Sequence, residues 1–151
     1  MLISTQQAHQ KKGDQALGRS RGGWGTKIHA LVEGLGNLAK FRLTGGQAGD
    51  SPQAVPLMGD LKPASVAADK AYDSGEILAH LEAIGAAAII PSRKARRVQR
   101  PLDKHAYRSR NLVERFFARL KQFRRVATRY DKLAERFASF VQVAAAFIWL
   151  V

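Results

Sequence analysis

Hydrophobic and polar positions alternate in short stretches through the first half of the chain and fall into helical repeats in the last third. Residues 26–33 (TKIHALVE) and 38–44 (LAKFRLT) alternate β-formers with polar residues, and residues 34–37 between them carry Gly36-Asn37. That pattern predicts a β-hairpin, closed by Gly45-Gly46. Asp50-Ser51-Pro52 predicts a helix start, with Asp or Ser as cap and Pro in the first turn, leading into a short amphipathic helix over 53–61. Residues 65–68 (SVAA) predict a buried strand running into Asp69. Residues 74–84 have helical spacing, with Ile77, Leu78 and Leu81 on one side and Gly85 as the stop. Residues 86–90 (AAAII), before Pro91, predict another buried strand. Strand, helix, strand in that order predicts a parallel pair with the helix laid across it. Residues 93–104 show no periodicity and predict a basic loop, and two long helices are expected over 107–124 and 132–150. Residues 1–23 are polar and Gly-rich and are expected to form a loop or tail. With no internal repeat and no dividing linker, 24–151 is expected to form one domain behind that segment.

Composition adds a partner. The chain has 151 residues, enough for one domain with a real core. It carries a formal charge of +13, with a sequence pI near 10.8. Residues 93–132 hold fifteen Lys or Arg against three acids, whereas the first 92 residues hold nine bases and eight acids. Such a localised surplus points to a polyanion, because each Lys or Arg seated on a phosphate displaces a condensed counterion. There are no cysteines, so a disulfide framework and a thiolate zinc site are excluded. The first residues have no apolar signal core, and the apolar run 137–151, containing Ser139 and Gln142, falls short of the roughly twenty residues of a membrane span. A cytoplasmic protein without a membrane partner is the expectation. The stripe Phe137, Phe140, Val141, Ala144, Phe147, Ile148 and Val151 is expected to be core packing against the sheet.

Two acids stand out. Asp69 ends a buried strand, and sites in sheets with parallel strands gather at the carboxyl ends of strands. A carboxylate there can hold a hard divalent ion, or simply cap the next turn. Glu114 is the only acid in NLVERFFARLKQFRR. At roughly 100° per residue, Tyr107, Arg110 and Lys121 lie within about 40° of Glu114, on one face of one helix. The plainer reading of that face is a solvated surface with ion pairs such as Arg110–Glu114. His29, on a strand, is expected to be a satisfied, half-buried histidine. His9 and His105 read as loop residues, too isolated for zinc. No Gly-rich phosphate loop is present.

The spacing Tyr107-x2-Arg110-x3-Glu114-x6-Lys121 resembles the signature of DDE-type insertion-sequence transposases, in the group spanning insertion sequence families four and five. GRSRGGWGTKIHALVEGLGN is similar to that family's second and third strands, VAADKAYDS to its second-Asp motif, and ERFFARLKQFRRVATRYDK to its Glu helix. The resemblance covers residues 3–151. It implies an α/β fold with an RNase H-like core, a mixed sheet with flanking helices, whose N-terminal strand is incomplete here. It also implies that Asp69 and Glu114 are the second and third carboxylates of a metal-binding triad. Tyr107, Arg110 and Lys121 are then signature positions, with Arg110 and Lys121 contacting DNA. Arg93, Lys94, Arg96, Arg97, Arg115, Arg119, Arg124 and Arg125 are expected to bind phosphate. The implied cofactor is a pair of Mg2+ or Mn2+ ions serving phosphoryl transfer. The implied partners are terminal inverted repeats and target DNA in a bacterial cytoplasm, held by a homodimer on paired ends.

The chain departs from the family at its first Asp. Ile3-Ser4-Thr5 stands where Asp-Ser-Thr is expected, and the spacer before Ala8-His9-Gln10 is one residue short. Asp14, in a polar loop, is a poor substitute. The first metal ligand is therefore expected to be missing, leaving a transposase fragment that binds DNA but is inactive alone. The alternative is a non-enzymatic DNA-binding remnant or regulator of an intact transposase. A resolvase or ribonuclease of the same fold has no reason to carry the Tyr-Arg-Glu-Lys spacing.

Overall fold

The alternating segments pair as the pattern requires. The computed structural model describes residues 15–21 and 23–150. Strands β1 (Gly18–Ser20), β2 (Gly23–Val32) and β3 (Leu38–Gly45) form an antiparallel sheet in that order. Ile28 pairs with Leu43, His29 with Arg42 and Ala30 with Phe41 across the ladder. The connecting loop turns on Gly36, whose φ of 92° is left-handed backbone that suits a residue without a Cβ. Glu33 stitches it by accepting from the amides of Leu35 and Asn37 at 2.9 and 3.1 Å.

One expectation for the first 23 residues is corrected. The end of that segment is a strand, Gly18–Ser20, facing Gly25 to Gly23, because Gly23 (φ 105°) permits the reversal. Ile3, Ser4, Thr5, Ala8, His9, Gln10, Asp14 and Val151, all used above, lie outside the described residues.

A 3₁₀ turn at Ser51–Gln53, with Pro52 in place, leads into α1 (Ala54–Met58), shorter than expected because Gly59 ends it with φ 54°. Asp50 makes no capping bond. Its carboxylate is taken instead by Lys27 Nζ at 3.0 Å. Strand β4 (Ser65–Ala67) is followed by a 3₁₀ turn at Lys70–Tyr72, α2 (Gly75–Ala83) and β5 (Ala87–Ile89). Ser74 Oγ caps α2 by accepting from Ile77 N at 3.2 Å. β4 and β5 are parallel, with Ser65 beside Ala87, as the strand–helix–strand order predicts.

The single helix expected over 107–124 is broken in two places. Asp103 caps an early helix, α3 (Lys104–Tyr107), by accepting from the amides of His105 and Ala106. His105 therefore lies on a helix and not in a loop. A 3₁₀ turn at Arg108–Arg110 then tightens the rod before α4 (Asn111–Leu120). Phe123 adopts extended backbone (φ −80°, ψ 105°), separating α4 from α5 (Arg124–Ala127) and setting its ring 5.7 Å from that of Phe147. The last helix, α6 (Ala134–Leu150), matches its expectation.

Two cores result. Phe116 and Leu120 of α4 and Phe137, Val141, Ala144 and Ile148 of α6 pack against the β2–β3 hairpin. Met58, Ile77, Leu81, Ala86 and Ile90 form the second core around β4, β5, α1 and α2. The α6 stripe is thus core on one side, while Phe147 is 55% exposed. The architecture is mixed α/β, with its strands in two separate ladders among the described residues: one antiparallel, one parallel. No helix among the described residues is long and apolar enough to cross a membrane.

Candidate functional site

The seam between the two ladders opens as a cleft of about 830 Å³, walled by consecutive residues of β2 on one side and β4 on the other. Asp69 lines this cleft at the carboxyl end of β4. Its Oδ1 accepts the Ala71 amide at 2.7 Å, so one oxygen caps the following turn. Arg110 lines the same cleft. Its Nη2 donates to Glu114 Oε1 at 2.7 Å, and its guanidinium carbon lies 5.8 Å from the Tyr107 ring centroid. Burial works to weaken the guanidinium's hold on its proton. The Glu114 bond and charge, followed by Tyr107 and Asp69, outweigh that and raise its pKa.

Arg110 pairs with one of the two acids singled out by sequence, Glu114, and lines the cleft that Asp69 also lines. Glu114 itself is 59% exposed on the outer side of that bond. Lys121 is the exposed C-cap of α4. The 3₁₀ turn between Tyr107 and α4 means the four signature residues do not ride one uniform helix, although Arg110 and Glu114 meet as the spacing requires.

The same cleft holds a second polar group that sequence reasoning treated only in part. His29 is buried, with Nε2 2.7 Å from Thr44 Oγ1 and Nδ1 3.8 Å from Asp50 Oδ1. Burial lowers its pKa, Asp50 opposes this, and Lys27 and Arg42 add to the lowering. It is the satisfied histidine expected. Tyr72 faces the same space, and burial, then Asp50 and Asp69, push its phenol pKa up.

Sequence reasoning missed the anchor of the basic loop. The Asp73 side chain is fully enclosed. Its Oδ2 accepts from the Arg93 amide at 2.7 Å and Arg96 Nε at 2.9 Å, and its Oδ1 from Arg100 Nη2 at 2.8 Å. Burial alone would raise the Asp73 pKa, but the bonds from Arg96, Arg93 and Arg100 hold it well below the ordinary carboxylate range. The Arg93 side chain reaches the carbonyls of Lys70 and Ala71 at 3.2 and 2.6 Å, tying the loop to the turn after Asp69. An aperiodic stretch rich in bases but nearly empty of acids was the available signal that some distant carboxylate must order it.

Other bases placed at the phosphate surface also have work within the chain. Arg119 Nη2 donates to the Ile148 carbonyl at 2.8 Å. Arg125 lies 4.1 Å over the Phe140 ring and 3.6 Å from Asp131. Lys94, Arg97, Arg115 and Arg124 are exposed.

The sequence matches the family described as Transposase DDE domain over residues 3–149. The chain belongs to the DDE transposases. A Brucella ovis protein described as a transposase for insertion sequence element IS6501 is 38% identical over 127 residues, covering 83% of this chain and 98% of that protein. No solved structure matches. DDE transposases typically use divalent metal. Asp69 spends Oδ1 on a backbone amide and Glu114 spends Oε1 on Arg110. Among the described residues no group of three or more Asp, Glu, His or Cys could hold an ion. Asp69 Oδ2 and Glu114 Oε2 are the oxygens these two acids could offer an ion, whose other ligands would be water or groups outside the described residues.

Proposed function

We propose that this DDE transposase chain is a DNA-binding part of the transposition machinery, RNase H-like in fold, and that by itself it does not cleave strands. The signature spacing supports a place in the group spanning insertion sequence families four and five. Asp69 and Glu114 take the second and third acid positions, with Arg110 and Lys121 beside the DNA end. Ile3 at the first acid position supports the loss of cleavage, since an alkyl side chain offers no ligand to Mg2+ or Mn2+.

The observation that carries the reading is the concentration of fifteen bases within residues 93–132, in a chain that matches a transposase family almost end to end. Of these bases, Lys94, Arg97, Arg115 and Arg124, all exposed, serve as phosphate ligands. Arg93, Arg96, Arg119 and Arg125 act more through the order they impose.

The test pairs two assays. Fluorescence anisotropy with labelled duplex should give binding that weakens steeply as salt rises. Incubation of terminal-repeat DNA with Mg2+ should give no nicked product. A flat salt response removes the DNA surface, and strong cutting abolished by Glu114→Gln removes the defect.

A further inference from the structure

We propose that the cleft between the two ladders is a strand position, and that residues 1–5 of the same chain enter it. The inference goes beyond the DNA-binding reading and does not rest on it. Among the described residues, β2 pairs from Thr26 to Val32 with β3 alone, and β4 pairs with β5 alone. No further backbone bond is made by 26–32 or 65–67 among those residues. Each strand therefore turns a second edge, with alternate N–H and C=O groups, away from its one partner. Those edges border the cleft. Lys27 to Gly34 and Ser65 to Asp69 line it in unbroken runs, whereas β3 contributes only Ala39 and β5 no residue. Leu57, Met58, Ile77, Val113 and Phe117, from three helices, add apolar surface. A short, apolar, β-forming segment fits a place with a strand edge on either side and apolar side chains around it.

The course of the chain names the occupant. β1 lies on the edge of β2 opposite β3, with Gly18 facing Gly25. Ahead of it, the Ala16 carbonyl accepts from Thr26 Oγ1 at 2.7 Å. The chain thus reaches β1 along the cleft-side edge of β2, next to the residue that precedes the cleft wall. Residues 1–14, outside the described part, attach just before that point. Their apolar β-formers gather in Met1-Leu2-Ile3-Ser4-Thr5, while 6–14 (QQAHQKKGD) is polar and carries Gly13. At about 3.3 Å per residue, the connection over 6–14 reaches roughly 30 Å, more than the roughly 20 Å from Thr26 to Val32. The β4 wall, 65–69, is as long as the apolar segment, 1–5. Paired on both edges, that segment supplies partners to the open amides and carbonyls and joins the two ladders into one sheet.

The experiment uses the full chain. Hydrogen exchange read by mass spectrometry is expected to show residues 1–8 slowed about tenfold against an unstructured reference. Ile3→Pro, which removes a ladder donor, should speed exchange over 26–33 and 65–69 about threefold. Circular dichroism checks the fold of that variant, and the wild-type exchange stands without it. The chain has no cysteine, so disulfide trapping is clean. Leu2→Cys, Ile3→Cys and Ser4→Cys are each combined with Ala67→Cys. At least one pair should close within a single chain under mild oxidant, since neighbouring strands bring Cα atoms within bridging range. The same three combined with Val143→Cys, on the exposed side of α6, should stay open. Exchange over 1–8 at the unstructured rate overturns the proposal, as does failure of all three to bridge Ala67→Cys within the chain. Bridging that yields covalent dimers alone gives the position to another copy, and overturns it too.

Discussion

Arg110 and Glu114 meet across one turn, Nη2 to Oε1 at 2.7 Å, where the 3₁₀ segment of the rod passes into α4. The pair joins a mostly enclosed guanidinium to a mostly exposed carboxylate. Its energetic weight is small for the same reason: solvent screens an i,i+4 pair to about 0.3–0.5 kcal/mol.

Glu114→Gln is accordingly expected to leave folding nearly untouched, with a loss of roughly 0.5 kcal/mol or less in urea denaturation. Removing the only acid of α4 should tighten duplex binding slightly at low salt. A variant that fails to fold would show that Glu114 holds the helix, against the surface-pair assignment.

Asp73→Asn should be far more damaging, costing about 3 kcal/mol, because it strips a buried charge from two guanidinium partners. Trypsin should then cut faster at Lys94 and Arg97. The sign of the pH effect follows from the depressed native pKa. The stabilisation is complete above the unfolded pKa, about 4, and is lost as pH falls toward the native value. Denaturation curves of wild type should weaken progressively below that pH, and those of the Asn variant should weaken less.

His29 predicts a second, milder acid limb. Its native pKa lies below 6.5, so the folded state prefers the neutral ring. Stability from this group is full above about pH 6.5 and declines as pH falls through the native value. Urea midpoints between about pH 7.5 and 5.5 should fall more for wild type than for His29→Gln, and equal declines in the two proteins would remove His29 as the source.

Lys94→Ala with Arg97→Ala separates contact from scaffold. Both side chains are exposed, so stability should change by less than about 0.5 kcal/mol. The slope of log affinity against log salt should drop by about two. Arg96→Ala is the contrast, expected to lower thermal stability through Asp73 before any effect on binding is read.

Local pattern made much of the fold legible. Alternation marked the hairpin at 26–33 and 38–44, and Ser74 and Gly85 marked the ends of α2, because those signals act over a few residues. The breaks in the rod over 104–127 were not legible. Aromatic and basic residues continue at helical spacing through them, while Asp103 capping and the Phe123–Phe147 contact decide where the helix yields. The site was legible as spacing only. Four residues between Tyr107 and Lys121 could be aligned on paper, but the enclosure of Asp73 by Arg93, Arg96 and Arg100 links positions 20 to 27 apart through folding alone.

The two strand ladders have a mechanical consequence. Among the described residues β2 and β4 stand in different sheets, each anchored in its own apolar core, and α1 packs against both halves. Amide bonds give a sheet its shear stiffness, and a side-chain seam yields more readily. Among the described residues, the half bearing Asp69 and the half bearing Glu114 thus meet through side chains, a joint softer in shear than a shared ladder.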